Sequence, residues 1–323
     1  MIKKPILIIC GEPNSVFSEL IIKASKKYKS KKPILLIGSY NLISLQIKKL
    51  KLKHNLHLIN YEKKLIPQLK KSQINILNVD YKFKKPFDKI SSKSNNYISN
   101  SFDKAFKVIK FNKIKCLING PISKKYFLNK KYPGVTEYLA NKFNIKNNFA
   151  MLIFNKSLSV SPITTHLPVY KIAKKINKKS IILKIKLVSD FFEKYLSKKP
   201  SIAVCGLNPH CENFLSISEE KKIIKPAINF LKMKKLKVFG PYPSDTIFLK
   251  QNIKNIDVII GMYHDQVLTP IKALHGFNAI NITLGLPFIR VSPDHGPNYN
   301  MIGKNKSNPQ SLIEAIKFLD KIK

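Results

Sequence analysis

Three of the seven histidines stand just past the ends of apolar runs: His166 after SVSPITT, His210 after IAVCGLNP and His264 after DVIIGMY. If each run is a strand of an open α/β sheet, all three imidazoles fall at the carboxyl edge, where such sheets bind ligands. Neutral imidazoles converging there suit a divalent transition metal with positions left open for substrate. Taken singly, each reads better as an ordinary hydrogen-bonded loop histidine; the shared placement of three favours the metal. His54 and His57 sit in a lysine-rich segment without that context and read as surface residues.

Arg290 is the second chemical signal. All but one of the 59 Lys and Arg residues are lysine, and the exception lies in NITLGLPFIRVSPDHG. An arginine kept among lysines marks a position that needs the planar fork for a carboxylate or phosphate, with chance survival against codon bias as the plainer explanation. Lys272 could add a point charge beside the same anion; read alone it is one more solvated lysine. The run NGPISKKYF, residues 119–127, reads as a strand end followed by a helix whose first amides could meet an anion. No G-x-G-x-x-G fingerprint, Walker loop or nucleophile-elbow serine is present, so any dinucleotide cofactor must use something other than a Rossmann site.

These residues need elements to carry them. Apolar runs alternate with helical patterns nearly end to end, which predicts α/β layers on a largely parallel sheet. Residues 5–10 (PILIIC), 33–38 (PILLIG) and 116–120 (CLING) read as buried strands. Ile98, Phe102, Ala105, Phe106 and Ile109 recur at helical spacing behind a candidate cap at Ser94. Residues 61–95 are lysine-rich and weakly patterned. Residues 149–154 and 158–165 flank a short Asn155-Lys156 connection and predict an antiparallel hairpin. A helix over 180–196 and a strand over 202–207 follow. Ser216 and Glu219 form a capping box for the next helix, which Pro226 should kink or shorten. Residues 258–262 read as another buried strand. The closing helix spans 309–322, capped by Asn308, with Leu312, Ile316 and Leu319 facing the core.

Composition narrows the function classes. A chain of 323 residues suits one large or two ordinary α/β domains. Hydrophobic residues make up 44%, yet no run approaches the roughly 20 apolar residues of a membrane span. The opening MIKKPILIICGEPN lacks a small-residue cleavage site and reads as a first strand, so the chain is expected to be soluble and cytoplasmic. Cys10, Cys116, Cys205 and Cys211 are too scattered for a disulfide framework or a common zinc spacing, and read as reduced thiols. A formal net charge of +41 invites a nucleic-acid reading. Against it, the lysines are spread over the whole chain among abundant Ile and Asn, and base readout leans on bidentate arginine. Specific nucleic-acid binding is not expected, although polyanions should adhere at low salt.

In order along the chain, NGPISK, YPGVTEYLA, TTHLP, CGLNPH, GPYPSDTIF, MYHDQ and NITLGLPFIRVSPDHG resemble the successive signatures of the 4-hydroxythreonine-4-phosphate dehydrogenase family of vitamin B6 biosynthesis. The resemblance implies an isocitrate/isopropylmalate dehydrogenase-like α/β fold of two α/β/α domains with a cleft between them. It implies a first domain of residues 1–125 plus 285–323 and a second of 126–284, the latter carrying the metal ligands and the dimer interface. It further implies a homodimer with shared active sites, NAD as cofactor, and one divalent metal (Zn, Mg or Co) bound by His166, His210 and His264. Thr136, Lys272, Asn281 and Arg290 match the substrate-binding positions. Asp245, in PYPSDTIF, and Asp265, beside His264, are candidates for proton handling or for supporting a ligand, and read equally as structural aspartates.

Three runs depart from the family pattern. Val135 stands where the family's PGHTE motif has histidine. GEPNSVFSEL, residues 11–20, lacks the later glycines of the family's amino-terminal run. PNYNMIG, residues 297–303, replaces T-A-L-D-L-A-G after DHG, a loop that in related dehydrogenases helps hold the cofactor's adenosine. The expected reaction is NAD-dependent oxidation and decarboxylation of 4-phosphohydroxy-L-threonine to 3-amino-2-oxopropyl phosphate. Two alternatives stay open: a related oxidative decarboxylase of another phosphorylated or sugar-acid substrate, and a catalytically weakened metal- or anion-binding homologue.

Overall fold

The computed structural model describes residues 3–61, 64–129, 131–145, 147–211, 218–276, 278–293 and 296–322. They form two compact units, Met1–Tyr138 with Pro287–Lys323, and Leu139–Leu286. Sequence reasoning puts the changeovers at 125–126 and 284–285; the first instead falls inside a helix, where no shift in composition announces it. In chain order, unit one begins with β1 (Ile6–Ile9), α1 (Phe17–Lys27), β2 (Ile34–Gly38), α2 (Tyr40–Lys49), β3 (Leu56–Ile59), α3 (Leu65–Gln68), β4 (Ile74–Asn78), α4 (Asn95–Asn112) and β5 (Cys116–Asn119). Helix α5 (Val135–Lys142) runs through the changeover. Unit two holds β6 (Ala150–Phe154), β7 (Ser159–Thr164), α6 (Ile172–Lys175), α7 (Lys178–Leu196), β8 (Ile202–Cys205), α8 (Lys225–Met233), β9 (Val238–Tyr242), β10 (Val258–Tyr263), α9 (His264–His275) and β11 (Ile280–Leu284). Unit one then closes with β12 (Ile289–Pro293) and α10 (Gln310–Lys321).

In unit one the strand order is β3-β4-β2-β1-β5-β12, and each pairing is parallel. Strand β1 is apolar and buried at every residue, as a parallel strand covered on both faces must be. Helix α1 packs on α2 and α10, and α4 packs on β1 and β2. The expected face of α4 is seen, with Ile98, Phe102 and Ala105 fully buried. Ser94 does occupy its N-cap position but makes no cap bond; its hydroxyl is directed to the buried Glu12 carboxylate at 2.9 Å. Strands β3 and β4 carry the sheet into segments where lysine masks the pattern. His57 lies within β3, and both it and His54 are half-buried, hydrogen-bonded to the Gln68 carbonyl and to Ser25 respectively. In α10, Leu312, Ile316 and Leu319 are fully buried, and the Asn308 side chain accepts from the Gln310 amide at 3.0 Å. Asp320 clasps the turn before β2, accepting from Tyr28, Ser30 and the amides of Lys31 and Lys32.

In unit two the order is β11-β6-β7-β10-β8-β9; β6 is antiparallel to both neighbours and the other pairings are parallel. The hairpin of β6 and β7 aligns Ile153 with Val160, and Asn155 Oδ1 accepts from the Ser157 amide to close the turn. Its core gathers Val160 and Ile259 from the strands with Val267, Leu268 and Ile271 from α9. Helix α7 starts behind Asn177, whose side chain accepts from the Ser180 amide at 2.9 Å. The predicted box partner Ser216 lies outside the described residues. Pro226 does interrupt the regular helix: the helical run passes through a wider π-type turn over Glu220–Ile224 before α8, with Pro226 in the first turn of α8. Cys10, Cys116 and Cys205 are buried free thiols in or beside strands, and Cys211 is half-buried. Among the described residues no helix is long and apolar enough to cross a membrane.

Candidate functional site

The three histidines all fall in unit two, past strand ends. Parallel pairing of β7 with β10 sets Thr164 opposite Tyr263, so the residues that follow leave the sheet side by side. The rings of His166 and His264 consequently lie with centroids 5.7 Å apart. His264 opens α9, and its Nδ1 is 2.6 Å from Asp265 Oδ1. A carboxylate on one ring nitrogen fixes the tautomer and turns the other nitrogen into the ligand, the arrangement that metal-binding histidines use. His210 sits apart, in a turn over Pro209–Cys211 with a left-handed φ of 56°, and its Nδ1 is 3.6 Å from Asp245 Oδ2. The structure thus brings two of the three expected ligands together and pairs the third with an aspartate. Among the described residues no group of three His, Cys, Asp or Glu side chains forms a metal site within one chain. The donor set and the supported tautomer of His264 fit a transition metal; the complete ligand set is not assembled by the described residues of one chain.

Lys272 is exposed near the end of α9, and Asn281 lies in β11 of the same unit. Asn281 Oδ1 is buried and finds no hydrogen-bond partner among the described residues. A buried acceptor without a donor is costly, and a ligand ammonium or hydroxyl would satisfy it.

Unit one carries the arginine. Arg290 lies in β12 beside β5 and is only 3% exposed; its Nε donates to Asn119 Oδ1 at 2.6 Å. Burial lowers its pKa to about 10, with the Glu137 carboxylate opposing the shift, so it stays charged at neutral pH. Thr136, buried, and Val135, half-buried, lie in the first turn of α5. The helix expected after Asn119-Gly120-Pro121 is absent. Ser123 instead caps a turn, its carbonyl accepting from the Phe127 amide, and Asn129 at a left-handed φ of 41° stops the turn from propagating. No helix N-terminus meets an anion there. Asn119, Glu137 and, in unit two, Gln266 and Glu220 were not singled out by sequence, although the first three stand inside the quoted runs.

Two of the three departures from the family pattern, residues 11–20 and 297–303, meet in unit one, where Val16 N donates to Pro297 O at 3.4 Å. Gly11 takes a left-handed φ of 73°, and a Cβ there would sit 2.4 Å from the Pro121 carbonyl oxygen, which only glycine permits. Loops that follow β4, β5 and β12 line a cavity of about 660 Å³ with Phe87, Tyr126 and Tyr299 among lysines 85, 89 and 125. Buried side chains anchor its walls: Gln46 donates to the Pro86 carbonyl, and Asn14 Oδ1 accepts from the Asp88 amide. Glu12, two residues before Asn14, is 1% exposed; burial raises its pKa, and hydrogen bonds from Ser94 and the Asn14 amide only partly oppose this.

The chain matches the family model of the pyridoxal phosphate biosynthetic protein PdxA over residues 29–319. It is 36% identical over 328 residues to a 4-hydroxythreonine-4-phosphate dehydrogenase from Sulfurihydrogenibium sp. (strain YO3AOP1), covering 96% of this chain and 95% of the other. It is 29% identical over 321 residues to a D-threonate 4-phosphate dehydrogenase from Salmonella typhimurium, with 97% of each chain covered. The solved structure of a 4-hydroxythreonine-4-phosphate dehydrogenase from Klebsiella pneumoniae is similar with a TM-score of 0.83 at 27% identity over 98% of both chains. An isocitrate dehydrogenase from Methylococcus capsulatus shares the fold, with a TM-score of 0.51 at 11% identity over 97% of this chain and 84% of that one.

The raised pKa of Glu12 makes a signed prediction. The native state holds this proton more tightly than the unfolded chain, so the contribution is favourable below the ordinary glutamate value and is lost as pH rises through the raised one. Glu12→Gln should therefore gain stability relative to the parent as pH is raised from about 4 to about 8, followed by urea unfolding. A difference that stays flat over that range would show that the buried carboxyl carries no such penalty.

With histidines and aspartates placed at the strand ends of one unit, a buried arginine in the other, the isocitrate dehydrogenase-like fold, and a family match spanning most of its length, the chain belongs to the PdxA family of pyridoxal phosphate biosynthetic proteins.

Proposed function

We propose that the chain oxidises 4-phosphohydroxy-L-threonine with NAD and releases carbon dioxide to give 3-amino-2-oxopropyl phosphate. The observation that carries this reading is the pairing of His166 and His264 at the ends of neighbouring parallel strands, with Asp265 on Nδ1 of His264. A divalent ion (Zn, Mg or Co) bound by His166, His210 and His264 supplies Lewis acidity at the substrate oxygen, and NAD supplies the hydride acceptor. Arg290 and Lys272 fix the anionic ends of the substrate, Arg290 through a plane already set by Asn119. Thr136 binds a polar group, and the unpaired Oδ1 of Asn281 accepts from the substrate's ammonium or hydroxyl. Asp265 and Asp245 orient the histidines beside them and are the candidate groups for taking the alcohol proton. The aromatic and lysine-lined cavity of unit one suits the adenosine and phosphates of the cofactor, with Tyr299 supplied by the altered 297–303 loop.

Absorbance of NADH with 4-phosphohydroxy-L-threonine tests the reading, and exhaustive chelation should abolish the signal; full turnover without metal would sink the metal assignment. Val135 and the D-threonate 4-phosphate relatives favour D-threonate 4-phosphate as the second reading, so that compound is the comparison substrate. Preference for it would transfer the proposal to the second substrate.

The working unit in this reading is a homodimer that contributes ligands from both chains. Because His166 and His264 already meet within one chain, complementation has to pair inactive His210→Ala with inactive His264→Ala. Mixed dimers should regain part of the activity; none after confirmed subunit exchange would rule out sharing in this form.

Arg290→Lys keeps the charge but loses the fork and the fixed bond to Asn119. We expect kcat/KM to fall by about 2 to 4 kcal/mol of transition-state stabilisation. Near-normal kcat/KM would mean that arginine serves only packing at this position.

A further inference from the structure

The loops that bear the three histidines are all tied to one glutamine. Gln266, two residues past His264 and 7% exposed, accepts from the Met262 amide through Oε1 at 2.6 Å. Its Nε2 donates to the Gly206 carbonyl at 2.8 Å and to Ser244 Oγ at 3.1 Å. Those contacts reach the loop leading to His210 and the residue before Asp245. Met262 extends the tie in the other direction, because its carbonyl accepts from Thr164 Oγ1 at 2.8 Å, two residues before His166. A single side-chain amide therefore links the ends of β8 and β10 with the turn after β9, and the Met262 carbonyl carries the link on to the end of β7.

Glu220 clamps the same loop from the other side. It is 1% exposed, and its Oε1 accepts from the amides of Leu207 and Asn208 at 2.8 and 2.9 Å while Oε2 accepts from Asn208 Nδ2 at 2.8 Å. Burial pushes its pKa up, and the hydrogen bonds from Asn208 and Leu207 outweigh that and leave it lowered. The backbone makes room for both residues. A Cβ at Gly206 would lie 3.1 Å from Glu220 Oε1 and 2.4 Å from Cys211 Sγ, and one at Gly261 would lie 3.0 Å from Gln266 Oε1. His210 and Cys211 both hold left-handed φ values, 56° and 54°, and such residues persist only where the surroundings over-determine them. A regular strand end needs no buried amide bridge; this irregular turn does.

We propose that Gln266 is a positioning residue that fixes the three histidine loops relative to one another, with Glu220 clamping the His210 turn. The inference rests on reading His166, His210 and His264 as metal ligands. Gln266 touches neither substrate nor cofactor in this role; it acts through the loops, and partners of this kind commonly carry 10- to 100-fold of a site's metal affinity.

The test is Co(II) titration of the full-length chain, followed by calorimetry and by visible absorption, which reports the number and geometry of nitrogen ligands. Gln266→Leu should weaken Co(II) binding by about 10- to 100-fold and alter the absorption band. Gln266→Glu keeps the acceptor for the Met262 amide but replaces the donor to the Gly206 carbonyl by a carboxylate oxygen that the carbonyl repels, so it should reproduce most of the loss and decides the matter if the leucine variant fails to fold. A Gln266→Glu chain with native near-ultraviolet dichroism and parental Co(II) affinity overturns the positioning role and leaves the metal reading standing. A parental chain that binds no Co(II) overturns both.

Discussion

The parallel pairing of β7 with β10 is the constraint on which the candidate chemistry depends. Both strands are buried nearly throughout and carry no ionisable side chain before their last residues, so the imidazoles stand just past the carboxyl ends. Setting Thr164 opposite Tyr263 makes two chain segments leave the sheet at the same height, and the imidazoles of His166 and His264 follow. Had the register slipped by one residue, the two rings would separate and every core side chain of one strand would change face. The apolar core thus does two things at once: it stabilises the sheet and it dictates where histidines can meet.

Charge is managed by the same division between interior and surface. A chain with +41 formal charges repels itself, which lysines tolerate by keeping their ammonium groups in water. Arg290 cannot do this, being 3% exposed. Its pKa, lowered to about 10 by burial, still leaves it protonated, whereas an ammonium starts from a lower ordinary value and has less margin before neutralisation.

Much of the fold could be read in advance because the strands β1, β2, β5, β8 and β10 are short runs of Ile, Leu and Val between turn residues, and because α4 and α10 repeat apolar residues at helical spacing. Strands β3 and β4 could not, since flanking lysines erase the contrast that marks an element, and the buried Asn75 breaks the apolar run. The helix predicted after Pro121 failed for a local reason: a serine-capped turn and a helix start look alike until Asn129 adopts a left-handed conformation. Site residues divided in the same way. Histidines at strand ends and a lone arginine are local signals, legible once strands are assigned. Asn119 and Arg290 are 171 residues apart, and Gln266 and Gly206 are 60 apart; such partners depend on strand order, which no local pattern encodes.

The runs that depart from the family pattern have a common physical meaning in the fold. GEPNSVFSEL retains Gly11 where a side chain would collide with the Pro121 carbonyl, so the tight approach of the first loop to the segment after β5 survives the loss of the later glycines. The run holds a buried polar set: Glu12 with Ser94, Ser15 with the Glu12 carbonyl, and Asn14 with the Asp88 amide. These bonds hold the loop by side chains. The amide of Val16 then reaches the carbonyl of Pro297, so the second altered run is fastened to the first. Substitution in one segment consequently bears on the position of Tyr299 and the cavity it lines, and the two departures act as one structural unit.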